Sequence, residues 1–133
     1  MTTLTLINST HLDAVWAMVA PILSRAIQEN HGEESIDQVR MQIAEGRKYL
    51  FIWHEGERPI TVVVVGMIQM PNCRMAHVAY LAGESTEEGW AELKQACRQL
   101  GASKIQAFCG KPQARLFRRF GLADTYTVMR ADL

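Results

Sequence analysis

Polar and apolar residues alternate along "TLTLI", Thr3 to Ile7, which predicts a strand with one buried face. The period then lengthens. Leu12, Val15, Trp16, Val19, Ile22, Leu23, Ala26 and Ile27 recur at three- and four-residue spacing, so a helix follows, with Ser9 or Thr10 placed to cap it. Pro21 falls inside that stripe and predicts a kink or a break into two helical pieces. In "SIDQVRMQIAEG" Ser35 and Gln38 form a capping box, Ile36, Val39 and Ile43 form a second stripe, and Gly46 stops it.

Three strands come next: "KYLFIWH", "ITVVVVGMIQM" after the turn "EGERP", and "RMAHVAYL" after "PNC". Connections this short predict an antiparallel meander. Ser85 with Glu88 makes another capping box, followed by Trp90, Leu93, Ala96, Cys97 and Leu100 on one face and Gly101 as the stop. "KIQAF" reads as a strand, "QARLFRRFG" as a short helix ending at Gly121, and "TYTVMRA" as a closing strand. The predicted order is β-α-α-β-β-β-α-β-α-β, an α/β chain of the α+β mixed-sheet kind with helices on both faces. Its second half implies a parallel pair joined by a right-handed crossover.

A chain of 133 residues supports one core, so residues 1–133 are expected to form a single domain. Basic and acidic residues balance at 14 each and the basic ones are dispersed, which argues against a nucleic-acid partner. The longest apolar run, "ITVVVVGMI", falls far short of the roughly 20 residues that span a bilayer. No membrane association is expected, and the start "MTTLTLINST" lacks a signal-peptide pattern, so a cytoplasmic location is expected. Cys73, Cys97 and Cys109 are odd in number and widely spaced, against a disulfide framework or a zinc site. The four histidines are scattered too, and "NHGEES", with one His and two Glu, reads as a solvated loop rather than a metal loop.

The element order, together with "QARLFRRFGLADTYTVMRADL", resembles the GCN5-related N-acetyltransferase (GNAT) superfamily. That family carries A-x-x-F/L-Y-x-x-x-G-F on the helix after its fifth strand. Ala114, Leu116, Gly121 and Leu122 match the pattern, and "VMRADL" fits the family's ending. The resemblance implies an acetyl-CoA N-acyltransferase fold and transfer of an acetyl group from acetyl-CoA to an amine acceptor. It places the pantetheine along Val78, Ala79, Tyr80 and Leu81, and the pyrophosphate at Ala82, Gly83, Ser85 and the helix start up to Glu88, with Lys111 and Arg115 available to phosphates.

The same comparison shows departures. No Arg or Gln precedes Gly83, the loop is short, and Glu84, Glu87 and Glu88 supply negative charge where an anion would sit. The family's tyrosine acid corresponds to Phe117, and its usual Asn to Lys111. Candidate catalytic residues are Glu84 as base, His77 as a second base that titrates near neutrality, and Tyr80 as a displaced acid or ligand-holding hydroxyl. Each also has a structural role: a helix-start acid, a strand residue and a packed phenol. Arg118 and Arg119 extend the basic cluster of Lys111 and Arg115, which doubles as a solvated helix face, and Cys109 has no histidine nearby in sequence to activate it.

Three readings follow. The chain is an acetyltransferase with an eroded loop and little or no activity; or a non-catalytic GNAT-fold component that binds a protein partner or a second copy; or a sensor of CoA or another anion. In length and abbreviated loop it also resembles GNAT-like proteins of bacteriophages, which would place it in the host cytoplasm or the virion.

Overall fold

The computed structural model describes residues 2–133. The elements are β1 (Thr2–Ile7), α1 (Leu12–Gln28), α2 (Ile36–Ala44), β2 (Lys48–Glu55), β3 (Arg58–Gln69), β4 (Arg74–Gly83), α3 (Glu87–Gln99), β5 (Lys104–Ala107) and α4 (Lys111–Arg119). The strands form one sheet in the order β1-β2-β3-β4-β5. The first four are antiparallel and β4-β5 is parallel, as the meander and the β-α-β pattern predict.

The valine run of β3 is apolar on both faces because both are covered. Val62 and Val64 pack with Leu50, Ile52 and the buried stripes of α1 and α2. Val63 and Val65 pack on the other face with Phe51, Trp53, Trp90 and Leu93, under α3 and α4. Full burial of a side chain this size contributes about 1.5–3 kcal/mol, so four in succession make β3 the spine of the fold. No helix among the described residues is long and apolar enough to cross a membrane.

Helix α1 runs unbroken from Leu12 to Gln28 through Pro21, against the expected division. Leu12, Trp16 and Val19 before the proline and Leu23 and Ile27 after it are all buried in one core, which holds both halves on one axis. Pro21 itself is exposed, so the Ala17 carbonyl that loses its N–H partner lies on the wet side. Pro21→Ala is therefore expected to stabilise the fold by about 1–3 kcal/mol, read as a higher urea midpoint. The turn into α1 is opened by Asn8 rather than Ser9 or Thr10. Asn8 Oδ1 accepts from the Thr10 N–H at 3.0 Å, ahead of a single 3₁₀ turn.

The α2 capping box forms as predicted: the Gln38 N–H donates to Ser35 Oγ at 3.2 Å and the Ser35 N–H donates to Gln38 Oε1 at 2.8 Å. At α3 the cap is Thr86, one residue later than Ser85, with the Gly89 N–H donating to Thr86 Oγ1 at 3.0 Å. The shift follows from packing. A Cβ at Gly89 would come within 3.2 Å of the Trp53 ring, so the bare glycine lets β2's tryptophan tuck under the first turn.

"TYTVMRA" does not join the sheet. Ala123 to Leu133 are all exposed, Tyr126 and Met129 almost fully, at 90% and 88%. β5 offers an edge of only four residues, and ion pairs tether the tail elsewhere: Arg118 to Asp124 at 2.7 Å, and Arg130 to Glu33 in the loop between α1 and α2. Strand-like alternation without a long enough partner edge yields no ladder.

Candidate functional site

The pairing of β4 changes halfway along its length. It pairs with β5 only from Met75 to Val78, opposite Lys104 to Ala107, yet its pairing with β3 continues to Gly83. From Ala79 to Gly83 the outer edge of β4 therefore carries backbone donors and acceptors with no strand beside them among the described residues, the arrangement to which an extended ligand adds. The β3 ladder slips at the same point. Val64 pairs with Tyr80 and Val65 with Val78, leaving Ala79 as an extra residue.

Such a bulge re-aims side chains. Val78 packs on the α3 side, whereas Tyr80, two residues on, joins Ala79 on the α1/α2 side. Without the slip both would face the same way. Tyr80 thus lies only 8% exposed beneath the loop that joins α1 to α2. There its hydroxyl donates to Glu34 Oε1 at 2.8 Å and accepts from Asn30 Nδ2 at 2.5 Å. The other Glu34 oxygen accepts from Gln42 Nε2 on α2, so one carboxylate ties the loop to β4 and α2 together.

Burial, followed by the Glu34 carboxylate, pushes the Tyr80 phenol up to about 12. It stays protonated at neutral pH with its proton held toward Glu34. Linkage sets the sign of the pH effect: above pH 10 the unfolded chain loses this proton while the folded one keeps it, so stability falls between pH 10 and about 12. The expected spectrum is a tyrosinate absorbance rising near pH 12 that is missing in Tyr80→Phe. A Tyr80 absorbance already rising at pH 10 would contradict the buried pairing.

His77 lies on the same face one step back along β4. Its Nδ1 is 3.1 Å from Gln106 Nε2, and Phe108 meets the ring edge-on at a centroid distance of 4.8 Å. Burial, and then the Lys48 charge, hold its pKa below 6.5, so the ring is neutral at physiological pH. Glu84 sits apart from both. It lies four residues beyond Tyr80, about 13 Å along the chain. Its carbonyl accepts from Thr61 Oγ1 at 2.6 Å while its carboxylate is exposed.

Gly83 makes the turn out of β4 at φ +117° and Ser85 lies half-buried in the short loop before α3. Glu87 and Glu88 occupy the first turn of α3 and are exposed, as are Lys111 and Arg115 on α4. Phe117 is buried against Trp90, with ring centroids 4.9 Å apart. Burial and Asp124 raise the Cys109 thiol, so it is not an activated nucleophile.

The face therefore gathers Tyr80 and His77 but leaves Glu84 out, and it adds Asn30 and Glu34, which sequence reasoning passed over as part of a solvated loop. A polar loop carrying Asn and two Glu is the signal that was there. What hid its meaning is the separation of 46 residues between Glu34 and Tyr80.

No protein-family profile matches the sequence, and no curated protein does. Solved structures do match over nearly the whole chain. An aminoglycoside acetyltransferase from an uncultured soil metagenomic sample, in complex with trehalose, superposes with a TM-score of 0.74 at 8% identity, covering 99% of this chain and 96% of that one. A predicted acetyltransferase with acetyl-CoA from Clostridium acetobutylicum gives 0.67 at 14% identity, covering 99% and 96%. A GCN5-related N-acetyltransferase from Ralstonia eutropha JMP134 gives 0.67 at 13% identity, covering 99% of each chain. The mixed five-stranded sheet and its helices are thus the fold of the GNAT acetyltransferases.

Proposed function

Taking the GNAT fold as premise, we propose that this chain is an N-acetyltransferase that moves an acetyl group from acetyl-CoA to an amine. The unpaired edge of β4 from Ala79 to Gly83, opened by the end of the β5 ladder at Val78, carries this reading. Its backbone groups suit the amides of a pantetheine arm, and the edge ends at the start of a helix, where N–H groups favour phosphate. Glu84, Glu87 and Glu88 weaken that end electrostatically, and Lys111 and Arg115, exposed on α4, are the basic side chains offered to the phosphates. Binding then rests more on the β4 edge than on the phosphate loop.

Acetyl-CoA supplies an activated acyl carbon and a thiolate leaving group. The chain's own residues manage the protons. An acceptor ammonium must lose a proton before it attacks, and Tyr80 Oη takes that proton as its own passes to Glu34 Oε1, along the hydrogen bond already in place. Asn30 holds the phenol oriented for the transfer. As the C–N bond forms and the C–S bond breaks, the same pair returns the proton to the departing sulfur, a role Phe117 has no proton to fill, and the second proton that the nitrogen sheds as it becomes an amide passes to solvent. Free N–H groups on the β4 edge stabilise charge that develops on the acyl oxygen.

The test is amine-dependent thiol release from acetyl-CoA across a panel of amines. Saturable release is expected. Release that does not depend on any amine would contradict the reading. A second reading, a GNAT-fold protein that binds another protein, is favoured by the tail, which exposes Tyr126, Val128 and Met129. It predicts capture of a partner that deleting residues 123–133 abolishes.

A further inference from the structure

The α1/α2 face of the sheet has a second polar row beside Tyr80. Lys48, Gly66, His77 and Gln106 are register partners across β2, β3, β4 and β5, so their side chains line up on one face. The row above it is Leu50, Val64 and Tyr80. Two residues of β2 and β3, and three of bulged β4, separate the rows, about 7 Å. Gly66 makes the row possible. A Cβ there would come within 2.8 Å of Lys48 Nζ, so the bare glycine lets the ammonium lie across β3 toward His77.

That ammonium is half-buried and makes no ion pair among the described residues. With the Gln106 amide donating to Nδ1, the neutral His77 ring carries its proton on Nε2, and the Lys48 charge lies near enough to the ring to lower its pKa. Phe108, 60% exposed, forms an apolar wall against the ring. An unpaired ammonium and an imidazole N–H on one sheltered face suit an anion, whereas Glu34 at Tyr80 suits an amine.

We propose that the acceptor is amphoteric: its amine meets Tyr80 and Glu34, and a second group, a carboxylate or a phosphate about 7 Å away, binds Lys48 and His77. The inference rests on the acetyltransferase reading for the amine end only; the anion end stands on the row itself.

The experiment compares pentylamine, 5-aminopentanoate and 3-aminopropyl phosphate as acceptors for the native chain and for Lys48→Met. The anionic amines are expected to exceed pentylamine in kcat/KM by about tenfold or more, the size of a charge-assisted hydrogen bond, and Lys48→Met to remove most of that preference. The better of the two anionic probes identifies the group. Equal or better turnover of pentylamine, or a preference that survives Lys48→Met, overturns the proposal. Should no amine be acetylated, the His77 ring resonances are followed by NMR as the same two anionic amines are added without acetyl-CoA. A saturable shift that Lys48→Met abolishes supports the anion site even as the transferase reading fails. No shift in the native chain at tens of millimolar probe overturns it.

Discussion

Tyr80→Phe is expected to lower kcat for acetyl transfer by about 100- to 10 000-fold, the range of a lost general acid–base group. The phenol is the one group on the β4 edge that both accepts and donates within the Asn30–Glu34 cluster. Its loss also strands two part-buried polar groups, so the variant should be less stable by about 1–3 kcal/mol. Glu34→Gln separates the two effects. Its amide oxygen still accepts from Tyr80, and its NH2 group donates to Gln42 once that side-chain amide flips to present its oxygen, but the amide is far too weak a base to hold the proton, so kcat should fall while the urea midpoint stays close to the native value. The measurements are kcat at saturating acetyl-CoA and the denaturation midpoint. A Tyr80→Phe protein that turns over at the native rate would reduce the phenol to packing.

Gly83→Ala is expected to cost about 2–4 kcal/mol of stability, from a strained backbone joined to a clash that cannot relax. The residue adopts φ +117°, which an L side chain rarely takes, and its Cβ would lie 2.3 Å from the Ile60 carbonyl oxygen and 2.9 Å from Thr61 Cα. Both neighbours are backbone of β3 in the sheet interior, so neither can give way. Relief would break the Thr61 bond to the Glu84 carbonyl and shift the turn into α3, weakening acetyl-CoA binding as well. Gly101→Ala is the control: φ there is +91°, but the nearest neighbours are Arg74 side-chain atoms at 3.5 Å or more, so only a cost near 1 kcal/mol is expected. Equal denaturation midpoints for the two variants would contradict the close approach at Gly83.

Local physics made much of this fold legible. The Ser35–Gln38 box, the valine run and the stripes of α1 and α3 each specify an element through neighbours in the chain. Where the reading failed, something distant decided. Pro21 is overridden by five buried residues of its own helix, Ser85 yields the cap to Thr86 because Trp53 packs under Gly89, and the final strand has too short an edge to join. The site shows the same division. Tyr80 and His77 could be named from their strand, but their shared face depends on a bulge at Ala79, and Tyr80's partners lie 46 and 50 residues away. Alternation alone puts Tyr80 beside Val78. Only the slipped register turns it toward Glu34.

Binding of acetyl-CoA along the β4 edge is tested most directly by titrating the labelled chain with acetyl-CoA and following its backbone amide resonances. Saturable shifts are expected, largest at Ala79 to Gly83 and at Glu87 to Gly89, with little change along Met75 to Val78, where β5 already fills the edge. No shifts at millimolar acetyl-CoA, or shifts confined to residues away from β4, would contradict it.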